Sequence, residues 1–213
     1  HNTIRNNLIY NNLAGGITLF ETDGAAGSSY NEIYHNTIVF GSVGRDVITI
    51  PGSKTAPVGN VVKNNILYTA DSAEAAIMVW GPAALAESDY NVVIDEFSPD
   101  ERSFITLSEW QTTYGFDTHS FISTPTALFE NPAANDYRLK VGSPAIDAGA
   151  TISSVTDDIE GTSRPQGGGY DIGCYEAGGG GPVPPVADFV GNPTQGAIPV
   201  TVYFTDLSTG SPT

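Results

Sequence analysis

The chain has 213 residues, and its 8 Lys and Arg against 24 Asp and Glu give a formal net charge of −16. Such an acidic chain repels phosphate backbones and anionic membrane surfaces, which excludes non-specific nucleic-acid binding. The sequence contains no run of about 18 apolar residues, so it predicts no membrane-spanning helix. The single cysteine, Cys174, excludes an internal disulfide or a metal site built from cysteines.

A 29-residue repeat organises the first part of the chain. The frame Asn-x-apolar-x-x-Asn-x-apolar begins at Asn2, Asn31 and Asn60, and a second apolar run follows each frame at 17–20, 47–50 and 77–80. Each run alternates apolar and polar residues, as a strand with one buried face does. Short strands at this period predict an all-β fold, with one coil of a parallel β-helix in each repeat.

The asparagines of the frame predict a ladder inside the solenoid. Stacked coils place equivalent residues roughly 4.8 Å apart, so Asn7, Asn36 and Asn65 are expected to bond to one another or to the turn backbone. Asparagine suits a corner because it tolerates the left-handed conformation and carries both a donor and an acceptor.

The same register predicts two outward columns next to the ladder. One contains Arg5, Tyr34 and Lys63, and the other contains Asn6, His35 and Asn64. A stripe of cations, amides and an aromatic ring could hold an acidic sugar chain laid along the helix. The alternative is ordinary solvated decoration of a strand face.

The period is expected to end after Asn91. Ser108 and Gln111 have the spacing of a capping box, which predicts a short helix from Ser108 to about Tyr114 that ends at Gly115. Farther along, Asp117, His119 and Ser120 stand too close in sequence to build a catalytic relay, and they are expected to order a turn.

Two strings in the next segment carry a family resemblance. They are Ser-Pro-Ala-Ile-Asp-Ala-Gly at 143–149 and Arg164-Pro165 followed by Asp-Ile-Gly-Cys-Tyr-Glu at 171–176. With these strings, residues 1–177 resemble the last coils and closing segment of secreted right-handed parallel β-helix proteins, which are typical of large bacterial and archaeal surface proteins. The resemblance implies an extracellular location.

The closing segment is expected to cover the open end of the last coil. Its acidic residues Asp157, Asp158, Glu160, Asp171 and Glu176 surround one cation, Arg164. One interpretation is a structural cap network of Arg164, Asp171 and Glu176. The other is a Ca²⁺ site at Asp158, Glu160 and Asp171, since carboxylates and carbonyls suit that ion. We expect that calcium is not required for folding, and no other cofactor is expected.

A linker and a partial domain complete the chain. Residues 178–186 are rich in Gly and Pro, as a linker is. Residues 187–213, with alternating apolar residues at 200–204, resemble the opening strands of a PKD domain, an Ig-like β-sandwich, and are expected to form an incomplete sandwich.

Together these features predict an extracellular structural or adhesive module. Its expected partners are other copies of itself, through the C-terminal strands and into filaments, or neighbouring surface proteins. The alternative is part of a polysaccharide-binding or polysaccharide-cleaving β-helix enzyme, a lyase or a glycoside hydrolase. Arg5, Arg45, Lys54 and Lys63 could serve as bases, but no carboxylate pair stands in register beside them. The sequence therefore leaves enzymatic activity undecided and names no catalytic residue.

Overall fold

The computed structural model describes residues 1–20, 27–52, 55–178, 189–192 and 201–206. The chain divides into two compact units, His1–Gly179 and Gly180–Thr213. The first unit contains the repeats and the closing segment, and each unit is described by itself below.

The strands of the repeats form three parallel sheets, and each coil contributes one strand to each sheet. Sheet A consists of β1 (Thr3–Arg5), β4 (Glu32–Tyr34), β7 (Asn60–Lys63) and β10 (Leu85–Asp89). Sheet B consists of β2 (Leu8–Tyr10), β5 (Thr37–Phe40), β8 (Ile66–Thr69), β11 (Val92–Val93) and β13 (Phe121–Ile122). Sheet C consists of β3 (Ile17–Thr18), β6 (Ile48–Ile50), β9 (Ile77–Val79) and β12 (Phe97–Ser98). The predicted parallel β-solenoid is confirmed.

The strand pairing follows the predicted register. Ile4 pairs with Ile33, Ile33 pairs with Val62, and Ile48 pairs with Ile77. These side chains point into the solenoid and join one core, in which all but Ile4 are fully buried. Because burying an aliphatic side chain contributes about 1.5–3 kcal/mol, the stacked columns hold the coils together.

The prediction that the period ends at Asn91 is wrong, because β10, β11 and β12 form a fourth coil. They pair in parallel with β7, β8 and β9. A 3-10 turn at Pro82–Ala84 precedes the coil, and Asn91 follows Asn65 by 26 residues instead of 29. The fourth repeat has the ladder asparagine, Asn91, but not the 29-residue spacing from which the other coils were predicted.

The predicted helix is α1 (Leu107–Tyr114), with a different N-terminal cap. Its capping box is made by Thr106 and Glu109, whose side chains bond to each other's backbone N–H, and not by Ser108 and Gln111. It ends at Gly115 in the left-handed conformation, as expected.

The interior of the fourth coil is covered by α1. Leu107 and Trp110 belong to the solenoid core, and the Trp110 ring stacks on Phe97 of β12 at a centroid distance of 5.1 Å. The prediction that the closing segment covers the open end of the last coil is wrong, because that segment lies along the side of the coils.

Residues 145–177, which we call the strap, run along the side of the coils. The strap bonds to coil three at Asn64, to coil two at His35 and to coil one at Arg5. It therefore reaches from the third coil back to the first and ties three coils together, instead of closing the end.

The outer face of sheet B is apolar and is covered as well. Val39, Ile66 and Val92 on that face pack against Phe129, Tyr137, Leu139 and Ile172. The covering layer comes from α2 (Pro125–Leu128), a 3-10 turn at Pro132–Ala134, and the antiparallel pair β14 (Phe129–Asn131) and β15 (Asp136–Leu139), besides the strap. A sheet buried on both faces explains why β5 reads as an apolar run without polar alternation.

The second unit contains one antiparallel pair, β16 (Phe189–Asn192) and β17 (Tyr203–Asp206). The predicted linker 178–186 lies outside the described residues except for Gly178, and so does most of the predicted domain at 187–213.

Candidate functional site

The side chains of Asn7, Asn36 and Asn65 form a directed hydrogen-bond chain through the solenoid. Asn7 Nδ2 donates to Asn36 Oδ1 at 2.8 Å, and Asn36 Nδ2 donates to Asn65 Oδ1 at 3.0 Å. The chain continues from Asn65 to Asn91 at 3.1 Å and from Asn91 Nδ2 to Asp117 Oδ1 at 2.9 Å. In each of these links the amide nitrogen donates toward the last coil, and Asn36, Asn65 and Asn91 also donate to a backbone oxygen of the preceding coil.

Asp117 ends this chain and sets its direction. The fully buried carboxylate also accepts from Trp110 Nε1 at 3.0 Å and from Ser120 Oγ at 2.6 Å. Burial raises the pKa of Asp117 above its ordinary value, although these donors favour the ionised form. Because an ionised carboxylate only accepts hydrogen bonds, Asn91 must turn its amide nitrogen toward it.

A parallel ladder runs through Asn2, Asn31 and Asn60. Asn2 Nδ2 and Asn31 Nδ2 each donate to the next amide oxygen at 3.0 Å, and Asn60 Nδ2 donates to the backbone oxygen of Ala84 at 2.9 Å. These residues mark the start of each repeat in the sequence, but they were not predicted to form a ladder. Their common 29-residue spacing was the available signal.

Asn6, His35 and Asn64, one of the predicted outward columns, occupy the coil corners in the left-handed conformation, with φ of 54°, 51° and 58°. The strap covers them. Asn6 Nδ2 donates to the backbone oxygen of Asp157 at 2.7 Å, and Asn64 Nδ2 donates to that of Ala150 at 2.7 Å. His35 and Asn64 are fully buried, so this column forms a docking row for the strap.

The hydrogen bonds of His35 fix its neutral form. The Ala150 N–H donates to Asn64 Oδ1 at 2.9 Å, so Asn64 presents its NH₂ group to His35 Nε2 at 2.9 Å. Nε2 must accept, and Nδ1 therefore donates to the backbone oxygen of Asp171 at 3.1 Å. Burial, with a smaller contribution from the nearby Arg164 charge, lowers the pKa of His35 to about 3.

The other column, Arg5, Tyr34 and Lys63, keeps its register but is divided among separate contacts. Arg5 pairs with Asp157 at 2.8 Å, and Lys63 pairs with Glu87 at 2.7 Å. Tyr34 is buried, which raises its pKa to about 12. The structure does not present these three side chains as one open sugar-binding stripe.

The strap is held by a buried ion pair. Arg164 Nη1 lies 2.7 Å from Glu176 Oε2, with neither side chain exposed. The Arg164 guanidinium also donates to the backbone oxygens of Asp171 at 3.2 Å and Gly173 at 2.8 Å. Of the predicted cap residues, Arg164 and Glu176 thus meet directly, and Asp171 joins them through its backbone.

The predicted calcium ligands Asp158, Glu160 and Asp171 are not brought together as a metal centre. Asp158 Oδ1 accepts from the backbone N–H of Glu160 at 2.8 Å. The carboxylate of Asp171, whose pKa burial raises to about 6, accepts from the backbone N–H of Asp147 at 2.7 Å and from that of Ala177. Within the part of the chain that the structure describes, no group of three His, Cys, Asp or Glu side chains is placed to hold a metal ion.

His119 is separated from the turn formed by Asp117 and Ser120. The Ser120 N–H donates to the Asp117 backbone oxygen at 3.0 Å, as the predicted turn requires. His119 instead pairs with Asp89 Oδ2 at 2.7 Å and stacks on Tyr90 at a centroid distance of 4.6 Å. The three side chains do not form a catalytic relay.

Comparisons of the chain with protein-family models, curated proteins and solved structures gave no match. Among the residues placed by the structure, none belongs to a helix with the length and apolar character needed to cross a membrane. The functional argument therefore depends on the geometry described above.

Proposed function

We propose that this chain is a non-catalytic structural or adhesive module of an extracellular or cell-surface protein. One observation carries the proposal: the polar corner residues of three coils bond to the strap, so they stiffen the solenoid instead of presenting an open site. The net charge of −16 also suits an exposed, solvated surface. The resemblance of residues 1–177 to secreted β-helix proteins agrees with it.

The experiment labels intact cells that express the protein with an antibody against residues 1–177. We expect labelling without permeabilisation, and loss of the label after brief treatment with an external protease. A cytoplasmic protein labelled in parallel provides the control. Labelling that requires permeabilisation would overturn the proposal.

The polysaccharide-cleaving alternative is tested on the purified chain. A structural module releases no reducing ends and no unsaturated product from polygalacturonate or from neutral polysaccharides. Steady release of either product would identify an enzyme. The corner columns that first suggested this alternative are occupied by the strap and by ion pairs.

Self-assembly through the second unit, which we assign to a PKD-type sandwich, extends the proposal. The antiparallel pair β16–β17 supports it, with Val190 49% exposed and Tyr203 74% exposed, since exposed apolar residues on a strand pair favour addition to another sheet. Negative-stain microscopy and sedimentation should show filaments for the full chain and none after deletion of residues 178–213. Monomers in both samples would reject this extension alone.

A further inference from the structure

An aromatic row on the outer face of sheet C has no role in the fold described above. Phe20, Pro51 and Trp80 follow β3, β6 and β9, and continuing the strand register places them side by side on successive coils. Phe20 is 74% exposed and Trp80 is 44% exposed. The two aromatic rings lie on coils one and three with Pro51 between them, and contiguous exposed apolar side chains of this kind mark ligand-binding surfaces.

The indole of Trp80 is held in place by a glycine of the neighbouring coil. A Cβ on Gly52 would lie 2.6 Å from Trp80 Cγ and 3.0 Å from Pro57 Cδ, so only glycine leaves room for the side chain there. One side of Trp80 therefore rests against the preceding coil, while the remainder faces solvent. Such a ring loses little freedom when it binds a ligand.

A second row beside the aromatic one offers polar contacts. Thr18, Thr49 and Met78 are in register with one another and also face outward. Thr18 is exposed, and Thr49 and Met78 are partly exposed. Hydroxyl groups next to aromatic rings combine hydrogen bonding with an apolar platform, as sites for polar organic ligands do.

We propose that these two rows bind an uncharged polysaccharide chain running along the solenoid axis. Stacked coils repeat every ~4.8 Å, which is close to the length of one sugar ring in an extended glycan, so the rows present equivalent contacts to consecutive sugars. The net charge of −16 disfavours an anionic glycan. The proposal deepens the adhesive part of the proposed function and rests on it.

A protein partner does not fit the same surface. The two rows contain six residues on three coils, whereas a standard protein interface uses roughly 20–30 residues on each side. The inward-facing residues of the same strands are buried in the core, and the strands already pair with those of neighbouring coils. Only the two narrow rows of side chains are therefore available to a ligand, and a linear ligand matches them best.

Affinity electrophoresis tests the proposal on the full chain. Native gels that contain hydroxyethylcellulose or galactomannan should retard the protein, and gels with polygalacturonate should not. Trp80→Ala and Phe20→Ala should each weaken retardation at least tenfold. Ile122→Ala, which changes an exposed side chain on β13, provides the matched control and should behave as the unmodified chain does.

Fluorescence gives a second readout, because the chain has two tryptophans and Trp110 is fully buried. A neutral oligosaccharide should change the emission of the unmodified chain and leave that of a folded Trp80→Phe variant unchanged. If Trp80→Ala does not fold, the exposed Phe20→Ala variant decides the matter.

Absence of retardation by both neutral glycans, retardation by polygalacturonate alone, or equal retardation of the Phe20→Ala variant would each overturn the site. A chain that labels on intact cells but is not retarded keeps the proposed function and loses only this site. Failure of surface labelling would instead reject the proposed function.

Discussion

Single residues at the coil corners decide how the solenoid is locked. His35 stands where the first and third coils carry Asn6 and Asn64, and its left-handed φ of 51° is one that asparagine adopts more readily. Its imidazole bonds to the strap and to Asn64 at once. The corner therefore requires a residue that adopts the left-handed backbone conformation and whose buried side chain remains neutral.

This burial makes stability depend on pH. The unfolded His35 takes up a proton near pH 6.5, whereas the folded residue does so only near pH 3. The unfolded state therefore binds more protons between these values, and the stability contributed by neutral His35 is lost as the pH falls from 6.5 toward 3. We expect the free energy of unfolding of the unmodified chain, relative to that of His35→Asn, to fall over this range.

Urea titrations of both proteins at pH 7.5, 6, 5 and 4.5 would measure that difference. Asp171 acts with the opposite sign, since its folded pKa of about 6 lies above its ordinary value and its contribution decreases as the pH rises toward 6. Comparison with His35→Asn cancels this contribution. A difference that stays constant from pH 7.5 to 4.5 would show that the folded His35 protonates normally.

At the scale of elements, the asparagine ladder joins neighbouring coils by side-chain bonds in addition to the backbone pairing of the sheets. Asn36→Leu removes two ladder bonds and takes the side-chain acceptor from the backbone N–H of Asn7. Asn7 Nδ2 keeps only the backbone oxygen of Arg5, and Asn65 Oδ1 keeps only the backbone N–H of residue 36. We expect a loss of about 1–3 kcal/mol in the free energy of unfolding. The exposed Asn12→Leu variant is the control, and equal stability of the two variants in urea would contradict the role of the ladder.

The end of the ladder gives a separate prediction. Asp117→Asn preserves the shape of the side chain but replaces one carboxylate oxygen with an NH₂ group. This NH₂ group must then face the N–H donor of either Asn91 or Trp110, so one hydrogen bond is lost. The expected cost is about 1–3 kcal/mol, against almost none for Asp95→Asn, whose Oδ1 accepts from the Leu107 N–H and can still accept. A more stable Asp117→Asn variant would show that relief from burying a charge outweighs the lost bond.

The sequence predicted the elements that depend on local spacing and not those that depend on distant contacts. Alternation located the inward columns of β1 to β9, because a strand with one buried face must alternate. The fourth coil escaped because three residues are missing between Asn65 and Asn91. The strap partner of His35, Asp171, is 136 residues away along the chain, and a single sequence without an alignment contains no signal that joins the two.

At the scale of the whole first unit, the strap depends on a charge pair that is shielded from water. Glu176→Ala would leave the Arg164 guanidinium buried without its carboxylate. Breaking one side of a buried pair costs about 3–5 kcal/mol, so thermal unfolding should occur at a clearly lower temperature. Glu130→Ala, at an exposed position of β14, is the matched control, and a melting temperature equal to that of the control would contradict the role of the pair.

The contacts of the strap with the first coil also determine the order in which parts of the first unit fold during synthesis. Its bonds join residues 152, 136 and 137 positions apart, and such distant contacts form late in folding. During synthesis, at about 5–20 residues per second, the four coils emerge well before Glu176. Until α2, β14, β15 and the strap have emerged in turn, the apolar outer side of sheet B, with Val39 and Ile66, is not fully covered. The nascent chain therefore passes through an aggregation-prone intermediate with an exposed apolar sheet face. A chaperone that binds this face protects the chain from aggregation until the strap has been synthesised.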